Sequence, residues 1–243
     1  RGARHGLDLP DRRPRARAPG RARIHAVVRR VSAVLFDVDG VLLDSRESTE
    51  RGWMEWARRR GMDPGVLRGK MHGVRSADVI RSVAPGLDAA SEAELVERIQ
   101  EEDTEGVRPI PGAAEALAAL DPGRVAAVTS ATRSLATARL AAAGIEPPRV
   151  ILYAGDVSRG KPDPEGYLAA AARLGVEPAE AVVVEDAPQG VEAGRAAGAA
   201  TVGVTSTHPE AELSHADVVI ETLEPLPRLL RERFEASAVL WKD

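Results

Sequence analysis

From Val31 onward the chain alternates short apolar runs with Ala-rich amphipathic stretches, and few patterns restrict a fold more. A strand that feeds a helix and then another strand builds a mostly parallel sheet with helices on its faces. Five main strands are expected near 32–36, 124–129, 149–152, 181–185 and 200–204, with a weaker sixth at 217–220. Helices are expected between them over 111–120, 132–143, 164–174 and 188–197, each followed by Gly, Pro or Asp as a stop. The pattern is that of an α/β domain. The interval 46–108 breaks the rhythm, with several helical patterns and no strand before Pro111-Gly112. It reads as a helical domain inserted into a core formed by 31–45 and 109–243, with Trp53 and Trp56 packing inside it at helical spacing.

Charge sets the first 30 residues apart. They hold ten Arg against Asp8 and Asp11, a net +8, which leaves −12 for the remainder of a chain whose total is −4. Three Pro and almost no large apolar residue before Ile24 give this tail the composition of a disordered segment. No function is assigned to it, and no nucleic-acid partner is expected. The longest apolar runs are strand-sized, short of the roughly 18 residues of a membrane-spanning helix. The absence of Cys excludes a disulfide scaffold, thiol catalysis and thiolate metal sites, and fits a reducing cytoplasm.

The apolar run Val34-Leu35-Phe36 ends in Asp37-Val38-Asp39-Gly40, which places two carboxylates and a flexible Gly40 at the carboxyl edge of the first strand. Open α/β sheets bind ligands at that edge. Alone, an acidic turn explains the pair equally well. Three other segments, each after an expected strand, change the balance. Thr129 and Ser130 offer a hydroxyl and backbone amides at a helix start, where a phosphoryl group is held well, although Thr or Ser there is otherwise an ordinary N-cap. Arg133, one turn on, either reaches phosphate or is solvated. Lys161 sits in Gly-Lys-Pro-Asp-Pro and is one of only three Lys, with Lys70 and Lys242. Glu185 and Asp186 follow Val182-Val183-Val184, more acid than a helix N-terminus asks for.

Phosphate monoesters resist hydrolysis so strongly that enzymes accelerate it by up to about 10²¹-fold. A carboxylate nucleophile divides the reaction into two easier steps. Attack is assigned to Asp37, and proton transfer, to the leaving oxygen and later from water, to Asp39. An anion approaching a phosphate needs positive charge to offset repulsion, which Lys161 and a hard cation supply. Mg²⁺ suits oxygen ligands. Asp37, Asp186 and the Asp39 backbone carbonyl are its expected ligands, with Glu185 as a further ligand or as support for one.

Taken in order, these segments resemble the haloacid dehalogenase superfamily over about 31–225, specifically phosphatases and phosphomutases with a helical cap inserted after the first strand. The resemblance implies a Rossmann-like parallel core under a small α-helical cap. It also implies Asp37 as nucleophile, Asp39 as acid/base, Thr129 as phosphate-binding hydroxyl, Lys161 as phosphate-orienting Lys, and Glu185 with Asp186 as metal acids. His-Gly-Val-Arg-Ser at 72–76, the motif at 128–133, Gly-Lys-Pro-Asp-Pro-Glu-Gly-Tyr-Leu at 160–168 and Glu-Asp-Ala-Pro-Gln-Gly at 185–190 look most like sugar and polyol phosphate phosphatases, nearest the 2-deoxyglucose-6-phosphatase and glycerol-phosphatase group. His72, Arg75 and Asp78 fall in the cap segment that faces substrate in such enzymes, with a structural hydrogen bond the equal alternative for His72. β-Phosphoglucomutases carry a His ten residues after the second motif Asp, where this chain has Thr49. That favours a phosphatase over a mutase, and the intact motif acids and Lys argue against a silent binding protein. The expected partner is a small phosphorylated metabolite, and a monomer is compatible with the pattern. Linkers near 44–48 and 106–111 are expected to let cap and core open and close.

Overall fold

Runs such as Val-Leu-Phe and Val-Val-Val leave a strand no polar side to show to water, so they belong in a sheet covered on both faces. A computed structural model describes residues 30–242, and the basic tail expected over 1–30 lies outside them apart from Arg30. The chain runs β1 (Arg30–Val31), β2 (Ala33–Phe36), β3 (Leu43–Asp44), then α1 (Arg46–Arg59), α2 (Ser76–Val83) and α3 (Ala89–Glu102). It continues through β4 (Arg108–Pro109), α4 (Ala113–Ala119), β5 (Val125–Val128), α5 (Arg133–Ala143), β6 (Val150–Leu152) and α6 (Glu165–Leu174). The rest is β7 (Ala181–Glu185), α7 (Pro188–Ala196), β8 (Ala200–Val204), β9 (Val218–Ile220), α8 (Leu226–Arg233) and β10 (Glu235–Ala236).

Six strands form one parallel sheet in the order β6-β5-β2-β7-β8-β9, with Phe36 level with Ala127 on one side and Val184 on the other. From β2 the chain steps outward to β5 and β6, then returns to β7 and steps the other way. Beyond the carboxyl end of β2 the two halves diverge, which is where such sheets hold ligands.

Side chains alternate across the sheet. Val34, Phe36, Val182 and Val184 face α4, α5 and α8, whereas Ala33, Leu35, Ala181 and Val183 face α6 and α7. At about 1.5–3 kcal/mol per fully buried large apolar side chain, these two layers make β2 and β7 a stiff base for the residues that follow them. The segment 46–102 forms a separate helical layer around Trp53, Trp56, Leu67, Ile80 and Val96. The two Trp rings meet edge to face at 5.6 Å, and Trp56 Nε1 donates to Glu92 Oε2 at 2.7 Å.

The strands and helices expected of the core all form, within a residue or two of the expected limits. Three features were not expected, the first being the two-residue parallel ladder of β1 with β10. Leu43 and Asp44 pair antiparallel with Pro109 and Arg108 where the chain leaves and re-enters the core. Two-residue strands carry no readable period. Helix α8 buries Leu226 and Leu230 in the core with Leu229 partly buried beside them, but its eight residues give only about two turns of pattern, interrupted by Pro227 and three Arg.

Candidate active site

Strand β2 ends one residue before Asp37, whose N–H still donates to Val184 O at 2.9 Å, so its carboxylate projects from the sheet edge with little freedom. Lys161 reaches it from the loop before α6. The Nζ donates to Asp37 Oδ1 at 2.5 Å and to Val128 O at 3.1 Å, and lies 2.6 Å from Glu185 Oε1. Both Asp37 and Lys161 are buried. Glu185, the last residue of β7, also accepts from Tyr167 Oη at 2.6 Å.

Carboxylate oxygens of Asp37, Glu185 and Asp186 lie within 4.8 Å of one another. Three buried acids face one ammonium, and the imbalance is visible in their protonation. Burial pushes Asp37 up from 3.8 to about 8, with Lys161 working against that rise and Glu185 adding to it. Burial, then Asp37 and Glu185, pushes Asp186 well above its ordinary value. Burial pulls the Lys161 ammonium down, but Asp37 and Glu185 more than offset it and hold the charge in place. Asp186 Oδ2 accepts from Thr207 Oγ1, whereas its buried Oδ1 has no partner among the described residues. An all-oxygen cluster with excess negative charge and an orphaned oxygen fits a hard divalent cation.

Two glycines make the cluster possible. Gly40 takes φ +84°, a left-handed conformation that favours Gly, and a Cβ there would lie 2.0 Å from Asp186 Oδ2. A Cβ on Gly190, in the first turn of α7, would lie 1.9 Å from the Glu185 carboxyl carbon. The helix thus approaches Glu185 more closely than any larger residue allows.

Asp39 points elsewhere. Its Oδ1 accepts from Ser45 Oγ at 2.6 Å and from Arg139 Nη1 at 2.8 Å, so its carboxylate stands outside the three-acid cluster. Thr129 is buried beyond β5, and its Oγ1 accepts from Ala131 N at 3.1 Å. Ser130 Oγ donates to Gly73 O of the helical layer at 3.4 Å. A cavity of about 50 Å³ lies between the layers, lined by Asp37, Asp39, Ser130, His72, Trp53 and Arg139 among others. Such a space holds a few waters. Burial, with His208 nearby, pulls His72 below its ordinary value. Arg75 does not line this cavity; it pairs with Asp78 at 2.8 Å and donates to Ser158 O at 3.2 Å, against the loop that carries Lys161. Arg133 is exposed and stacks on Tyr153 at 4.2 Å, away from the acids and the cavity.

Residues 31–198 match the family model of haloacid dehalogenase-like hydrolases. The chain belongs to that family. Hexitol phosphatase A of Escherichia coli strain K12 is 39% identical over 202 residues, which cover 81% of this chain and 94% of that protein. 2-Deoxyglucose-6-phosphate phosphatase 2 of Saccharomyces cerevisiae is 34% identical, covering 78% of this chain and 87% of that one. The crystal structure of a hydrolase from Pseudomonas syringae superposes with a TM-score of 0.74 at 28% identity, covering 83% of this chain and 98% of its own. This chain is therefore a hydrolase with the family's parallel core.

Three partners of the motif residues in this hydrolase escaped the sequence reading. Arg139 is 4% exposed and falls on the same stripe of α5 as Leu135, Ala136, Leu140 and Ala143. A charged residue on an apolar stripe was the signal available. Tyr167 lies on the buried face of α6 and stood inside the Lys161 motif. Thr207 follows β8 in a loop with no pattern to mark it.

Proposed function

We propose that the protein is a Mg²⁺-dependent phosphatase that hydrolyses a small phosphorylated sugar or polyol through an aspartyl phosphate on Asp37. One observation carries the reading: a buried carboxylate at the sheet's switch point, gripped by a charged Lys161 and flanked by two further acids, with a separate carboxylate, Asp39, turned toward the cavity. The division of the two Asp into different surroundings matches a division of labour.

In the first half-reaction an Asp37 oxygen bonds to phosphorus as the bond to the leaving oxygen breaks, and Asp39 gives that oxygen its proton. In the second, Asp39 takes a proton from a water whose oxygen attacks phosphorus, and the bond to Asp37 breaks to return the carboxylate and inorganic phosphate. Lys161 holds Asp37 in line and offsets charge on the phosphoryl oxygens. Thr129, Ser130 and the amides that follow them are placed to hold the phosphoryl group. Asp37, Asp186 and the Asp39 carbonyl would hold the cation, with Glu185 steadying the set. When bound, the cation neutralises the carboxylates and the phosphoryl oxygens so that two anions can meet.

The substrate class rests on the relatives, whose names specify hexitol and 2-deoxyglucose-6-phosphate phosphatases, and on a polar cavity wall from the helical layer that includes His72 and Gln100. The same layer over 46–108, closing on the core, acts as the substrate cap. Purified protein with Mg²⁺, given a panel of sugar, polyol and nucleotide monophosphates, is expected to release phosphate from the sugar or polyol members. Folded protein that frees none would end the reading.

A further inference from the structure

Asp39 is held by one oxygen only. Ser45 and Arg139 both donate to Oδ1, and among the described residues no donor reaches Oδ2. Arg139 is the less obvious of the two partners. It comes from α5 of the core, and its side chain is 5% exposed. Its other terminal nitrogen, Nη2, donates to Thr49 Oγ1 on α1 at 2.8 Å and to Gln100 Oε1 on α3 at 2.7 Å. One guanidinium thus touches the proton-transfer carboxylate and two helices of the cap.

A guanidinium is planar, and its N–H directions form a rigid fork, so Nη1 and Nη2 cannot be aimed independently. When Thr49 and Gln100 hold Nη2, the plane is fixed, and with it the direction from which Nη1 grips Asp39. Two further hydrogen bonds join α3 to the start of α5: Thr132 N donates to Glu97 Oε2 at 3.2 Å and Ser134 Oγ to Glu101 Oε1 at 2.5 Å. A seam of this kind can part and re-form. With the cap lifted, Arg139 loses both constraints on Nη2 and keeps only Asp39.

We propose that Arg139 is a positioning residue through which docking of the cap sets the orientation of Asp39, presenting Oδ2 for proton transfer when Thr49 and Gln100 hold the other end of the guanidinium. The inference rests on the phosphatase reading, in which Asp39 protonates the leaving oxygen as phosphorus bonds to Asp37.

Leaving groups separate this role from simple packing. An alkoxide needs the proton, whereas p-nitrophenolate departs without it. Single-turnover release is measured with enzyme in excess and Mg²⁺ present, from a hexitol 6-phosphate and from p-nitrophenyl phosphate, so that hydrolysis of the intermediate does not enter. Arg139→Met is expected to slow release from the hexitol phosphate about 100-fold, the scale of one general acid, and from p-nitrophenyl phosphate by less than about threefold. Thr49→Val and Gln100→Met leave the Asp39 pair intact and are expected to show the same asymmetry at about tenfold, which carries the test if the buried Arg139 variant does not fold. Arg139→Lys keeps the charge without the fork and is expected not to restore the hexitol rate. Equal slowing of both substrates, or no slowing, overturns the inference while the wild type remains active. A wild type that releases neither product instead overturns the phosphatase reading and the inference with it.

Discussion

The acid cluster beneath the cavity and the cap above it use polar groups in opposite ways. Below, Asp37, Lys161, Glu185 and Asp186 are buried on the ends of β2 and β7 or in adjoining loops, with Lys161 shared between two carboxylates. Above, His72, Arg75 and Asp78 are half-buried on a segment joined to the core by a two-residue ladder on each strand. In the proposed reaction these rigid supports fix the groups that meet the phosphoryl transition state, where small displacements cost much. On the proposed reading the group that meets the rest of the substrate, His72 on the cavity wall, sits on the layer that moves. The proposed function thus assigns chemistry to the sheet and selection to the cap.

Removing the proposed nucleophile breaks the comparison hardest. Asp37→Asn replaces the attacking carboxylate with an amide that cannot form the acyl phosphate, and kcat is expected to fall on the order of 10⁴-fold or more. Initial rates of phosphate release check it. An asparagine variant with more than about a tenth of the normal rate would place the nucleophile elsewhere.

A second change sharpens the role of Glu185 without touching it. Gly190→Ala puts a methyl carbon 1.9 Å from the Glu185 carboxyl carbon, so Glu185 must move. Apparent Mg²⁺ affinity is expected to fall about 10–100-fold, as when a group that orients metal ligands is displaced. Stability is expected to drop by about 1–3 kcal/mol from overpacking. Titration of activity with Mg²⁺ separates the two effects. Unchanged Mg²⁺ dependence in a destabilised protein would leave Glu185 a purely structural partner of Tyr167 and Lys161.

Much of this lower region was legible because it follows the sheet. The apolar runs before Asp37, Thr129 and Glu185 locate the ends of β2, β5 and β7, and a parallel sheet brings those ends together. Lys161 stood out by the rarity of Lys and the turn around it. Arg139 and Thr207 did not, since the first depends on which face of α5 meets the cap and the second on where a loop crosses Asp186. Arg133 was held open between phosphate and solvent; the turn of α5 directs it to Tyr153. Cap residues are readable as helix but not as wall, because that depends on how two layers meet.

The protonation of the cluster gives a smaller effect with a definite sign. Asp37 binds its proton more tightly folded than unfolded, since its ordinary value of 3.8 is pushed up to about 8. Metal-free protein therefore keeps this stability below about pH 4 and loses it as the pH rises toward about 8. Asp186 is raised in the same sense. A cation competes with those protons, so the gain in Tm from Mg²⁺ should grow over the same range. At a hundredfold excess over Kd a ligand adds about 2.7 kcal/mol, about 5–10 °C for a domain of this size. That gain is expected at pH 8, with less than half of it at pH 5, by thermal melts with and without chelator. An equal gain at both pH values would mean that the cation is bound away from Asp37 and Asp186.

The smallest expected effect lies on the cap side, at the Arg75 contact with the Lys161 loop. Its pair with Asp78 is partly exposed, and such pairs are worth about 0–1 kcal/mol, so Arg75→Ala should move Tm by no more than about 4 °C. Yet Arg75 also donates to Ser158 O and packs over Gly160, where a Cβ would lie 2.6 Å from its Nε. Losing that contact loosens the closed cap and leaves Asp37 and Lys161 in place. The comparison thus expects KM to rise severalfold with kcat nearly constant, the pattern of binding lost equally from ground and transition states. A fall in kcat with KM unchanged would instead place Arg75 on the phosphoryl group itself, and the boundary between chemistry and selection would have to be redrawn above Lys161.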